Sequence, residues 1–194
     1  MRHHTIIYMH PTYDSFNGRL LEAYRKELEQ NGFIVTVRAV YDLSMKLTLT
    51  DEEYQQSLRG RYPEDVQAEH TFLAHAEAVT LIFPVWWGTF PAAGKGYLDR
   101  VLSYGFAYEL EGESPIGHLN HLRAHAIYTT GSPKEEANDM QAALESVLND
   151  SIFSFCGMNP GGNLHFGNVV QAGQAEHEQM IREVEAFARA QADT

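Results

Sequence analysis

Short apolar runs alternate along this chain with longer stretches in which apolar residues recur every three or four positions. Thr5 to Met9 is a β-branched and aromatic run, as a buried strand requires. His10-Pro11-Thr12-Tyr13-Asp14 reads as a loop, with Asp14 or Ser15 able to cap the next helix. Leu20, Leu21, Tyr24 and Leu28 then keep helical spacing until Asn31-Gly32 stops the helix. Phe33 to Ala39 is a second strand, carrying Ile34, Val35 and Val37 among polar partners. The opening is therefore strand, loop, helix, strand.

The pattern repeats after a polar interval. Thr50-Asp51-Glu52-Glu53 has the form of a capping box. Pro63-Glu64-Asp65 begins a helix whose modest apolar face is Val66, Leu73 and Ala76. A strand over Val79 to Phe83 leads into a loop from Pro84 to Phe90 and a helix striped by Tyr97, Leu98, Val101 and Leu102. His125 to Thr129 is a fourth strand and ends in Thr130-Gly131-Ser132-Pro133. Met140, Ala143, Leu144, Val147 and Leu148 mark a helix, Asn163 to Phe166 a fifth strand, and Met180, Ile181, Val184, Phe187 and Ala188 the closing helix.

Strands alternating with helices of this length predict an α/β fold, one parallel sheet with helices on both faces. No repeat or linker divides the chain, so a single domain over residues 1–194 is expected. In such sheets ligands sit beyond the carboxyl ends of the strands, where the strand order reverses. Three loops should build the site: those after Met9, after Phe83 and after Thr129.

Charge and cysteine content narrow the classes. The 26 acidic against 14 basic residues give a net charge of −12, which argues against nucleic-acid partners and anionic membrane surfaces. The one cysteine, Cys156, cannot staple its own chain and suits a reducing cytosol, as a buried structural thiol. Met1-Arg2-His3-His4 ahead of the first strand is too short for a signal peptide, so a cytoplasmic protein is expected. No charge falls between Ala78 and Gly94, but Pro84, Gly88 and Pro91 interrupt the stretch, and no membrane insertion is expected.

Each loop carries a distinct chemistry. His10 to Asn17 leads into a helix N-terminus with hydroxyls at Thr12 and Ser15, which serves either as simple N-capping or as a phosphate site needing no lysine. Neither GxGxxG nor GxxxxGK[ST] is present. Pro84-Val85-Trp86-Trp87-Gly88 holds both tryptophans, either packed against other protein or forming an aromatic platform for a planar ring, with Gly88 clearing bulk. Thr129-Thr130-Gly131-Ser132 offers successive backbone N–H groups to negative charge.

These residues resemble a known family. His10-Pro11, Ser15-Phe16-Asn17, Phe83 to Trp87, Pro91, Lys95 to Val101, Gly105-Phe106-Ala107-Tyr108 and Thr129-Thr130-Gly131 match the flavodoxin-like NAD(P)H:quinone reductases, over most of residues 5 to 160. That family includes bacterial modulator-of-drug-activity-type enzymes and potassium-efflux ancillary proteins. The resemblance implies a doubly wound five-stranded parallel sheet of order 2-1-3-4-5. It implies a flavin held by Ser15, Phe16 and Asn17 at its phosphate region with His10 alongside, by Pro84, Val85, Trp86, Trp87 and Gly88 at the ring, and by Thr129, Thr130, Gly131 and Ser132 at its polar edge. Tyr108 would lie in an acceptor pocket formed across a homodimer, so Tyr108 and Trp87 are the implied catalytic residues. The implied reaction is a ping-pong hydride transfer from NAD(P)H through flavin N5 to quinones or similar small acceptors.

FMN needs only the three loops, whereas FAD also needs room near the first loop and residues 40–65; Ser15-Phe16-Asn17 leans towards FAD. A departure is visible after the third loop, where Ser132 to Met140 lacks the Tyr and His that longer members carry. Two alternatives stay open on the sequence: a flavin-binding regulatory subunit of a potassium efflux transporter, and a flavodoxin-type electron carrier. No metal site is expected, because His118, His121, His70 and His75 read as surface histidines and lack further converging ligands. Glu109, Glu111 and Glu113 read as a solvated loop.

Overall fold

The computed structural model describes residues 2–136 and 138–192; Met1, Ala137, Asp193 and Thr194, all within the single domain expected from the sequence, lie outside the described residues. In chain order the elements are β1 (Arg2–Tyr8), α1 (Phe16–Gln30), β2 (Phe33–Ala39), α2 (Asp51–Ser57), α3 (Glu64–His75), β3 (Ala78–Pro84) and α4 (Ala92–Val101). They continue with β4 (Tyr108–Glu111), β5 (Ser114–Gly117), β6 (Arg123–Thr129), α5 (Asn138–Ser146), β7 (Asn159–Phe166) and α6 (Gln174–Ala192). A π-helical segment, Val147–Ser154, prolongs α5.

The main sheet runs β2-β1-β3-β6-β7 with every pair parallel. Counted among the parallel strands alone, this is the 2-1-3-4-5 order expected. The period of two in β1 decides which core each residue joins. Ile6 and Tyr8 face α1 and α6, packing with Leu20, Tyr24, Leu28 and Val184. Ile7 and Met9 face the other way, into a core with Leu73, Leu81, Tyr97, Val101 and Leu148. β3 is buried along its whole length, as its uninterrupted apolar run requires.

Helix ends follow the expected chemistry. Ser15 caps α1, its Oγ accepting from Gly18 N–H at 3.1 Å, and Asn31-Gly32 closes it with Gly32 at φ +88°. Thr50 and Glu53 form the capping box of α2.

Two expectations are corrected. Glu109, Glu111 and Glu113 are exposed, as a solvated stretch requires, but they belong to a hairpin and not to a loop: β4 and β5 pair antiparallel, Tyr108 opposite Gly117 and Glu111 opposite Ser114, with Gly112 (φ +64°) and Glu113 in the turn. His70 is not a surface histidine. It is buried, with Nε2 3.0 Å from Val101 O and its ring stacked 3.6 Å from that of Phe106. Burial lowers its pKa to about 4.

Charged groups are also drawn inside. Glu69 of α3 is buried and accepts from Arg38 of β2 at 2.5 and 2.9 Å and from the Tyr97 hydroxyl at 2.9 Å. Arg100 of α4, also buried, ties together Glu53, Asp65 (2.7 Å) and the Lys46 carbonyl (2.5 Å), which fastens the polar interval onto α4. Cys156 is buried as expected, and burial pushes its thiol up to about 12. Among the described residues no helix is long and apolar enough to cross a membrane.

Candidate active site

β1, β3 and β6 are adjacent and parallel, so their carboxyl ends deliver the three expected loops to one end of the sheet. The first loop is tightly self-bonded. Tyr8 Oη donates to Thr12 O at 2.8 Å, His10 Nδ1 lies 2.8 Å from the same carbonyl, and Asp14 N–H donates to Thr12 Oγ1 at 3.1 Å. A Cβ at Gly18 would stand 2.0 Å from Tyr13 O, so only glycine lets the loop fold back on α1.

Ser15 Oγ and Ser15 O engage the amides of Gly18 and Arg19. Among the described residues the Phe16 and Asn17 amides find no acceptor, and no acidic residue lies in the first turn. This is a helix N-terminus with donors to spare. Phe16 offers that amide and not its ring, which stacks on His177 of α6 at 4.3 Å.

Asn17 reaches furthest. It is buried, and its Nδ2 donates to Thr129 Oγ1 at 2.9 Å, joining the first loop to the third across 112 positions of sequence. Its Oδ1 is buried without a partner among the described residues.

The second loop turns sharply. Pro84 ends β3, and Val85 N–H donates to Thr129 O at 2.8 Å, tying this loop to the third. Trp86 and Thr89 exchange both backbone hydrogen bonds, at 3.0 and 3.2 Å, across Trp87 (φ +53°) and Gly88 (φ +76°). Two successive left-handed residues make a tight turn that suits Gly88 and strains Trp87. The Trp87 side chain is fully exposed at the apex, while the Trp86 ring lies 6.1 Å from that of His10. The two tryptophans do not bury in this chain.

The third loop is braced from β7. Thr130 N–H donates to Phe166 O (2.9 Å), Val169 N–H to Thr130 O (3.2 Å) and Asn168 N–H to Ser132 O (2.8 Å). Thr129 and Thr130 are buried, whereas Gly131 and Ser132 are exposed. Among the described residues the Gly131 and Ser132 amides find no acceptor.

Tyr108 stands apart from these loops. It opens β4, its ring meets Phe155 edge-on at 4.8 Å, and it lines a cavity of about 460 Å³ with Tyr54, Tyr62 and Cys156. Burial raises the pKa of its hydroxyl. The cavity touches the second loop only at Thr89 and Phe90. The structure therefore brings His10, Ser15, Asn17, Val85, Trp86 and Thr129 to Ser132 together, and holds Tyr108 in an aromatic hollow that meets them only at the far end of the second loop. Sequence reasoning missed His165 of β7, which is buried with Nε2 2.8 Å from Thr130 Oγ1. Nothing in the order of residues ties a histidine 35 positions away to this loop.

Comparison with known proteins adds four findings. Residues 2–189 match the profile of a family described as having a flavodoxin-like fold. A Haemophilus influenzae protein named as an uncharacterized NAD(P)H oxidoreductase is 36% identical over 80% of this chain and 78% of its own length. The human ribosyldihydronicotinamide dehydrogenase [quinone] is 31% identical over 67% of this chain, but the match spans only 64% of that enzyme, just under two thirds. Among solved structures, an NAD(P)H:quinone oxidoreductase from Methanothermobacter marburgensis superposes with a TM-score of 0.85 at 26% identity, covering 97% of this chain and 98% of that one.

Proposed function

This chain belongs to the flavodoxin-like fold family that includes NAD(P)H oxidoreductases and quinone reductases, and from that premise we propose that it binds a flavin in the three loops and reduces quinones or similar small acceptors at the expense of NAD(P)H. The observation that carries the reading is the convergence of two pairs of amides left unengaged among the described residues, Phe16-Asn17 and Gly131-Ser132, on either side of a tryptophan-bearing turn. One pair suits a phosphate at a helix N-terminus, and the other suits the electron-rich edge of a ring. The exposed indoles offer an aromatic wall between them.

Bound flavin would supply the chemistry, a ping-pong relay of two electrons from NAD(P)H to the acceptor. The protein's part is to hold and orient. Phe16 and Asn17 amides take the phosphate, Ser15 fixes the helix end that presents them, and the Asn17–Thr129 bond sets the distance between phosphate and ring-edge donors. Tyr13 donates its hydroxyl to Asp42 at 2.8 Å and so ties the first loop to the 40–65 region, where FAD would need room. That tie favours FMN over the FAD to which the sequence leans.

A homodimer completes the site in this reading. Trp86, Trp87, Leu110, Ile116 and Tyr54 are exposed, and the cavity that Tyr108 lines meets the three loops of its own chain only at Thr89 and Phe90. A second copy laid over the Trp turn would cover the apolar side chains and bring its own Tyr108 to the acceptor.

The test is titration of the purified protein with FMN and with FAD, followed by flavin fluorescence. The reading expects saturable quenching with one flavin per chain, tighter for FMN. No retained flavin of either kind would refute it.

A further inference from the structure

Beside the third loop lies a hydrogen-bond chain whose polarity can be followed atom by atom. Tyr128 Oη donates to Glu145 Oε1 at 2.8 Å, and Gln141 Nε2 donates to the same oxygen at 3.1 Å. The amide of Gln141 is thereby oriented, leaving its Oε1 to face His165 Nδ1 at 2.9 Å. An amide oxygen only accepts, so Nδ1 carries the imidazole proton. In the neutral ring Nε2 is then an acceptor, and Thr130 Oγ1, 2.8 Å away, donates to it.

Ser132 O, 3.0 Å away, is also within reach of that hydroxyl, but this carbonyl already receives Asn168 N–H at 2.8 Å, whereas an unprotonated Nε2 has no other donor among the described residues. Asn168 holds a left-handed backbone (φ +57°) while making its bond to Ser132 O. His165 is further fixed by stacking on Tyr128, with ring centroids 4.9 Å apart. Burial, and next the Lys134 charge, lower its pKa, which favours the neutral form.

We infer that His165 is the positioning residue of the third loop: its Nδ1–H tautomer, set by Gln141, receives the Thr130 hydroxyl and so holds the loop in the shape that offers the Gly131 and Ser132 amides to the flavin. With its hydroxyl and amide both bound to β7, Thr130 presents no donor of its own, and recognition of the ring edge falls to the two backbone N–H groups. The inference rests on the flavin reading above.

The experiment has two arms. In the flavin-free protein, long-range ¹H–¹⁵N spectra of the histidine rings should report the Nδ1–H tautomer for His165, and Gln141→Leu, at a half-buried position on α5, should release it towards Nε2–H. FMN affinity is then measured for Thr130→Val, His165→Leu, the double variant and His165→Gln. Each single loss is expected to weaken binding about five- to tenfold, the worth of one hydrogen bond. The double variant should be no weaker than either single one, because both remove the same bond.

His165→Gln, whose carbonyl falls near the position of Nε2, should recover most of the affinity. Were His165→Leu to fail to fold, Gln141→Leu supplies the comparison in a protein that keeps the ring. An Nε2–H tautomer in the wild type, a double variant whose loss is the product of the single ones, or unchanged FMN affinity in His165→Leu would each overturn the inference. A wild type that shows the Nδ1–H tautomer yet binds no flavin would overturn the flavin reading, and the loop's role in it, while leaving the network standing.

Discussion

Trp87 and Asn168 are the two non-glycine residues with a left-handed backbone among the described residues; Trp87 lies in the second loop of the proposed site, and Asn168, just after β7, braces the third through its bond to Ser132 O. For a bulky side chain that conformation costs about 1–2 kcal/mol, and such strain persists where the surroundings hold it for a use. Trp87 gains no burial in return within this chain. Trp87→Asn should therefore leave the melting temperature unchanged or slightly raised, since Asn accepts the left-handed region, yet slow flavin reduction by NADPH at least tenfold. A variant that melts earlier and turns over normally would show the indole to be a packing residue.

Gly18→Ala makes the complementary case. Alanine would ordinarily help a helix by about 1 kcal/mol, but here its methyl would meet Tyr13 O at 2.0 Å. We expect a lower melting temperature together with lost FMN binding. A gain in stability with intact binding would contradict the described path of the first loop.

Much at this scale is legible in the sequence. Ser15, Asn31-Gly32 and Gly88 announce caps and turns through local chemistry, which the order of residues carries directly. The Asn17–Thr129 bond and the His165–Gln141–Glu145 chain are not local. They arise only when the sheet order sets β1 and β7 on either side of β3 and β6, and no spacing encodes them.

At the scale of elements, apolar periodicity found the five parallel strands but stopped short at their polar ends. β1 begins at Arg2 and β7 at Asn159, because ladder bonds continue past the last apolar residue. The β4–β5 hairpin was hidden by its own charges. Tyr108-Glu109-Leu110-Glu111 does alternate with period two, but the acids suggest a solvated loop. Helix α3 misled in the opposite sense, since Glu69 and His70 look like solvated positions and are core.

The energetic consequence is testable. Glu69→Gln would strand the charge of Arg38 in a largely buried place, and removal of one partner from such a pair costs about 3–5 kcal/mol. Arg25→Ala removes two ion pairs from the outer face of α1, with the exposed Glu22 and Glu29, and should cost less than about 1 kcal/mol. Denaturant unfolding of the two variants distinguishes them, and equal losses would refute the assignment of Glu69 to the interior.

At the scale of the molecule, the region around His4 of β1 and His125 of β6 makes the fold sensitive to acid. The two buried rings lie 6.3 Å apart and nearly parallel, with His4 Nε2 2.7 Å from Thr80 Oγ1. Among the described residues His4 Nδ1 has no partner, and the His125 nitrogens lie beside the Gly161–Gly162 backbone without forming a well-directed bond. Burial first, and for His4 the neighbouring His125 second, lowers their pKa values from 6.5 to about 3 and about 4.

Below pH 6.5 the unfolded chain takes up protons that the folded chain refuses. The contribution is therefore complete above pH 6.5 and is lost towards pH 4, by about 1.4 kcal/mol per pH unit for each histidine. The melting temperature should fall between pH 7 and pH 5, and the variant His4→Gln, His125→Gln should make that limb shallower, leaving the part that His70 and His165 contribute. A parallel profile in the variant would contradict this cause.

The central claim concerns the assembled molecule, and one measurement meets it most directly. The flavin-loaded protein is mixed with NADPH or NADH without oxygen, its absorbance near 450 nm is followed, and menadione is then added. The account predicts bleaching in a single two-electron phase without a long-lived one-electron intermediate, and full recovery of colour as the quinone is consumed. A bound flavin that ignores both nucleotides, or that accumulates a stable one-electron form, would contradict the oxidoreductase reading and favour a carrier.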